Sequence, residues 1–348
     1  PPKRTKSPTH SDSDSDDEEE LTERLSSSDA VWFPIIGSVV LGGFYLAFKY
    51  LGDDWINKLM GYYFLITGIL CVWNCLTSLT THIFPPSYTK RTPKIKLPFD
   101  TSIRLPTLLL LIPSTLPSLF FFFGSTKSTT LVSNVLALSF AHTALSTLKL
   151  DSLQTGCVLL GGLFFYDVWW VFGTSVMVKV ATSLNVPIKL LFPRSVLSLL
   201  SLVPKPESNP NMLLGLGDVV IPGTLVALAY RLDMHFWMKE KDMKEKDKNG
   251  KGTGRGMVQG GGGGGKRTSY LRATLIGYFT GLSMAFAAMH IFRAAQPALL
   301  YLSPTCCLSF IFNAIQREEL GYVWSWEDGA EEKERKEKEK KEKEGKES

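Results

Sequence analysis

Apolar runs about 20 residues long, separated by short polar links, fill the chain from residue 31 to about residue 315. A hydrocarbon layer about 30 Å thick needs about 20 apolar residues in a helix. By that ruler eight transmembrane helices are expected, at roughly 31–50, 57–81, 106–124, 130–148, 153–178, 212–230, 270–292 and 296–315. The predicted fold class is therefore all-α, a polytopic transmembrane helix bundle, because helices satisfy their own backbone groups in lipid. The third span carries Pro113 and Pro117, which a bundle tolerates where neighbours satisfy the freed carbonyls. The stretch from Leu190 to Val203 is apolar but short, with Pro193 and Arg194 inside it, and is expected at the interface rather than across the layer.

Composition changes little until charge is mapped. The mean hydropathy of +0.06 and net charge of +5 over 348 residues resemble those of a soluble protein. Most of the charge, however, sits in three blocks. Residues 1–30 hold 4 basic and 9 acidic groups, 231–267 hold 10 and 5, and 327–348 hold 8 and 10, which leaves 16 basic and 9 acidic groups for the other 259 residues. The domain reading follows: an acidic, Ser-rich disordered tail at 1–30, a transmembrane domain at 31–322 interrupted by a Lys/Gly-rich disordered loop at about 232–269, and a charged disordered tail at 323–348. The run SDSDSDDEEE is a candidate phosphorylation substrate, and the Lys-rich run 239–251 suits anionic lipid headgroups. Its interleaved acids and lack of aromatics argue against a nucleic-acid partner. Loops at 82–105, Lys149 and 231–269, with the C-terminal tail, are more basic than the alternate set, so they and both tails are expected in the cytosol. The five cysteines lie in apolar segments and suggest packing rather than a disulfide framework. No leader pattern opens the chain.

The informative step is to place the nine remaining acids. Asp53, Asp54, Asp100, Asp151, Glu207, Glu318 and Glu319 fall in loops or at span ends, and only Asp167 and Asp218 lie within apolar segments. An ionisable group there costs about 2.5–3.5 kcal/mol on insertion scales and is a functional-site hypothesis by default. The two are on adjacent antiparallel spans, offset in depth by about 9 Å at 1.5 Å per residue, an offset that would shrink if Gly215 and Gly217 let the backbone before Asp218 unwind. Two carboxyls sharing a dry site do not both ionise. One can then activate water while the other donates a proton, which is aspartic-protease chemistry. Burial alone leaves open a neutralised pair of acids, or a proton or cation relay in a transporter or channel. No His is followed by an HExxH pattern, and Gly173, Thr174 and Ser175 do not complete a serine-protease GxSG motif. No metal or cofactor is implied.

The residues around the pair resemble those of signal peptide peptidases, intramembrane aspartyl proteases of the endoplasmic reticulum, and more distantly presenilin. Three motifs stand in that family's order: Tyr166 and Asp167 as YD, Gly215, Leu216, Gly217 and Asp218 as GLGD, and Gln296, Pro297, Ala298 and Leu299 as QPAL. The likeness extends over most of residues 31–322. It implies Asp167 and Asp218 as the catalytic pair, with the other motif residues as substrate-binding or supporting groups. It also implies hydrolysis of type II oriented transmembrane helices, notably leftover signal peptides, in the endoplasmic reticulum membrane without a cofactor. Physical roles can be proposed for the neighbours. Gly215 and Gly217 would let an extended peptide approach Asp218, Pro297 suits a first helical turn, and Tyr166 would hydrogen-bond near the pair. The partners expected are transmembrane substrates and the bilayer, with a second copy of the chain or components of ER-associated degradation also allowed. Family members usually have nine spans, and FPIIGSVVLGGFYLAFKY resembles the second, so one span is expected upstream of the residues given. A catalytically dead relative acting as a membrane chaperone is the remaining rival.

Overall fold

The computed structural model describes residues 24–83, 94–96, 102–124, 130–174, 176–183, 189–193, 211–248, 269–292 and 297–329. Gln296, both outer tails and residues 249–268 lie outside them. All eight expected spans are helical over most of their length. Helix α1 (Ser27–Leu51) opens on a capping box in which the Ser26 hydroxyl accepts from the Asp29 amide and the Asp29 carboxylate accepts from the Ser26 amide. This satisfies two of the donors a helix start leaves orphaned. Helix α2 (Asp53–Ile83) follows. The proline-bearing span is divided into α3 (Leu105–Leu109) and α4 (Leu111–Phe123). Pro113 then falls in the first turn of α4, where a missing N–H costs nothing.

Helix α5 (Thr130–Thr147) leads to α6 (Leu153–Asp167), capped by the Ser152 hydroxyl and continued as one π turn over Val168–Phe172. Helices α7 (Val176–Ser183), α8 (Leu216–Lys248), α9 (Tyr270–Phe292), α10 (Leu299–Gln316) and α11 (Leu320–Ser325) complete the helical set. Three two-stranded ribbons join β1 (Arg24–Leu25) to β4 (Lys149–Leu150) in parallel, and β2 (Lys94–Lys96) to β3 (Ser102–Arg104) and β5 (Lys189–Pro193) to β6 (Asn211–Gly215) antiparallel.

By length and composition six helices among the described residues suffice to cross a membrane: α1, α2, α6 with its π turn, α8, α9 and α10. The protein is a multi-pass membrane protein. Its outward faces carry Trp32, Val39, Tyr62, Phe120, Leu131, Phe279 and Leu308, as befits helices whose outer solvent is lipid. Two details depart from the hydropathy reading. Helix α8 continues past residue 230 to Lys248, helped by i,i+4 pairs such as Lys244 with Glu240 at 2.6 Å. The apolar stretch after Leu190 begins as a strand of a hairpin.

The closest helix packing is between α9 and α10. A Cβ added at Gly277 would stand 2.6 Å from the Thr305 carbonyl oxygen, and one at Gly281 3.0 Å from the Leu302 Cα. Gly277 and Gly281 form a GxxxG seam that lets two backbones touch. Polar groups tie one end of the bundle. Arg231 of α8 pairs with Asp328 at 3.1 Å and donates to the Leu150 carbonyl. Arg24 donates to the Asp328 carbonyl, and the Asp328 amide to that of Asp151. Arg24, the α5–α6 link, α8 and the turn at Asp328 therefore meet at the same end.

Candidate active site

Asp167 is the last residue of α6 and only 4% exposed. Its helix packs directly against α8, whose third residue is Asp218. The backbone before Asp218 is not helical. β6 runs as an extended strand to Gly215, and the helix starts at Leu216, so the unwinding suggested by the glycines is present. Asp218 lies within electrostatic reach of Asp167. Asp218 also lies in the first turn of α8, where the helix dipole favours a negative charge.

The glycines divide the work unequally. The position a Gly215 Cβ would take is 3.2 Å from Asp218 Oδ2, whereas nothing lies within 4 Å of that position at Gly217. Gly215 therefore makes room for the carboxylate itself, and Gly217 opens onto free space. Leu216, between them, packs with Leu190, Leu214, Val219, Ala298 and Leu302.

The third motif closes this cluster. Pro297, Ala298 and Leu299 are buried, and Ala298 joins the hairpin's Leu190 and Leu214. Pro297 stands one residue before the cap of α10, and its carbonyl accepts from the Leu300 amide in a tight first turn. The motif thus docks the start of α10 onto the hairpin and the GLGD turn. Tyr166 turns elsewhere. Its ring packs 3.6 Å from the Cβ position of Gly37 on α1 and tilts against Trp170 at 6.4 Å. It lines an apolar groove of about 470 Å³ with Pro34, Ser38, Gly162 and Trp169. Within that groove's wall the Trp170 indole donates to the Ser38 hydroxyl at 3.1 Å.

Two residues of this neighbourhood, and a third further along α8, are absent from the sequence reading. Tyr278 of α9 packs, as Leu216 and Val219 do, on the cluster that contains Leu214 and Ala298, and is within electrostatic reach of Cys306 and Asp218. The GxxxG seam beside it is the sequence signal that could have drawn attention there. Lys189 pairs in register with Gly215, and burial pushes its ammonium pKa below the usual lysine value. Nothing short of the hairpin register would have revealed that pairing. Asp233 of α8 accepts from the backbone amides of Tyr270 and Leu271 at 3.0 and 2.9 Å and from the Ser269 hydroxyl, capping α9 from a neighbouring helix.

Comparison with known proteins places this arrangement in context. The family model described as signal peptide peptidase matches residues 16–330. The chain is similar to the signal peptide peptidase of Homo sapiens, at 34% identity over 89% of this chain and 75% of that protein, and to the mouse (Mus musculus) protein of the same name at 32% over the same shares. It is also similar to intramembrane protease 2 of Caenorhabditis elegans, 35% identical over 57% of this chain and 38% of that one.

Proposed function

Because the chain belongs to the signal peptide peptidase family of intramembrane proteases, we propose that it hydrolyses peptide bonds within the membrane by an aspartyl dyad, with Asp167 and Asp218 as the catalytic residues. The observation that carries this reading is that the two acids that apolar helices least tolerate, one at the end of α6 and one at the start of α8 next to an extended strand, stand on packed helices within electrostatic reach of each other. In the singly protonated dyad the ionised carboxylate takes a proton from water while the resulting hydroxide bonds to the scissile carbonyl carbon. The protonated partner gives its proton to the carbonyl oxygen, leaving a gem-diol. When the C–N bond breaks, the nitrogen leaves with a proton from the first carboxyl and a diol O–H proton returns to the second. The dyad ends as it began, with one proton.

A helical substrate hides its peptide bonds and must unwind first. β6 uses one edge to pair with β5 and ends beside Asp218. An unwound peptide added along that hairpin would lie against Gly215, Leu216 and Gly217, with backbone hydrogen bonds giving affinity without demanding a sequence. Pro297, Ala298 and Leu299 support this wall, Gln296, outside the described residues, is a further substrate-binding residue, and Tyr166 contacts the part of the substrate helix lying toward α1. The substrates are transmembrane helices of type II orientation, including signal peptides released by signal peptidase. The membrane is that of the endoplasmic reticulum, with the polar clasp end and the Lys-rich loop in the cytosol.

The test is cleavage of a synthetic transmembrane peptide by purified protein. Asp167→Asn and Asp218→Asn are each expected to lower kcat by at least about 10⁴-fold. A hydroxyl-bearing transition-state isostere should block the wild type. Residual cleavage above one-hundredth of the wild-type rate in either variant would remove the dyad.

A further inference from the structure

Resting on that reading, we propose that Tyr278 is a third active-site residue, whose hydroxyl donates a hydrogen bond to the scissile carbonyl oxygen as it becomes tetrahedral. The position of Tyr278 is fixed by packing. Gly277 and Gly281 press α9 onto the α10 backbone at Thr305 and Leu302. One residue further along a helix turns the side chain by about 100°, so Tyr278 points away from the glycine seam itself, within electrostatic reach of Cys306 of α10 and of Asp218 of α8. It packs on the buried cluster that includes Leu190, Leu214, Ala298 and Leu302, against which Leu216 and Val219, both within two residues of Asp218, also pack. It thus shares one apolar cluster with the GLGD segment and the third motif.

Its hydroxyl is within electrostatic reach of Asp218, yet among the described residues no hydrogen bond joins the two. Among the described residues the Tyr278 hydroxyl makes no hydrogen bond, which leaves it available to a group bound beside Asp218. A peptide bound at the dyad would then meet a neutral O–H donor in addition to the two carboxyl groups. A donor aimed at an oxygen that gains charge in the transition state lowers the barrier without tightening ground-state binding.

The experiment uses the full chain and the transmembrane-peptide assay. Tyr278→Phe removes one oxygen and keeps the ring in its packing cluster. The expected result is a fall in kcat on the order of 10²-fold with KM within about twofold. Affinity for a hydroxyl isostere of the tetrahedral carbon should weaken at least about tenfold, while binding of the uncleaved peptide to the Asp218→Asn background is unchanged. Tyr278→Leu, also lacking the hydroxyl, should give the same pattern. An unaltered kcat in Tyr278→Phe would overturn the assignment. So would a loss in which kcat, KM and thermal stability fall together with no selective loss of the isostere, or the failure of both variants to fold, since each would mean that the ring only packs. A wild type that does not cleave, or an Asp218→Asn variant that does, would instead remove the dyad and Tyr278's role with it.

Discussion

Gly215 and Gly217 differ by two positions and by the whole of their surroundings. A methyl at Gly215 would sit 3.2 Å from Asp218 Oδ2, so the carboxylate would have to give by a few tenths of an ångström. Displacements of that size at a reacting group cost rate rather than stability, and Gly215→Ala is expected to lower kcat about tenfold at nearly constant KM. At Gly217 the same methyl meets nothing within 4 Å. Gly217→Ala should leave thermal unfolding and kcat nearly unchanged and raise KM, because the methyl intrudes only where a bound strand would lie. Kinetics of the two variants on one transmembrane peptide check this, and equal losses of kcat would erase the division. The two aspartates were legible in the sequence for a single reason: charge in an apolar run is costly enough to demand an explanation. A tyrosine in such a run costs almost nothing, which is why Tyr278 gave no signal of its own although it borders the same carboxylate.

At the level of elements, hydropathy predicts helices well because lipid leaves the backbone no alternative, and all eight expected spans are helical over most of their length. It is blind where the chain leaves that regime. The β5–β6 hairpin is built from apolar residues that read equally as helix or strand. The extension of α8 to Lys248 is polar, so it read as loop. The π turn after Asp167 has no residue pattern that distinguishes it from the helix it continues. Asp233 is a further case, since its partners are 36 to 38 positions away. It gives α9 the anionic cap that the helix start lacks locally. Asp233→Ala is expected to destabilise the bundle by about 1–2 kcal/mol. That corresponds to a fall in Tm of about 2–8 °C, readable by thermal unfolding in detergent, with Asp233→Asn intermediate. An unchanged Tm would mean that water caps α9 as well as the carboxylate does.

For the molecule as a whole, the charged blocks that pull mean hydropathy to +0.06 are tied to the bundle at one end, where Arg24, Asp151, Arg231 and Asp328 meet. The same end carries the α8–α9 junction, and there Asp233 already holds Ser269, Tyr270 and Leu271 against α8. Joining those helices in space is therefore the work of the cap rather than of the Lys/Gly-rich connection. Replacing residues 240–267 with an eight-residue Gly/Ser linker tests this. Such a linker reaches about 16 Å, while Lys239 lies six residues, or about 9 Å of helix, beyond Asp233, so the shortened connection can close without strain. Cleavage of a detergent-solubilised transmembrane peptide should stay within about twofold of wild type, because nothing at the dyad depends on the excised segment. A synthetic peptide of residues 240–267 should bind liposomes containing anionic lipid, each lysine near the surface contributing about 1 kcal/mol at low salt. A loss of detergent-phase cleavage greater than about tenfold would show instead that the basic segment reaches the catalytic machinery, and would move it from the periphery of the protease to its mechanism.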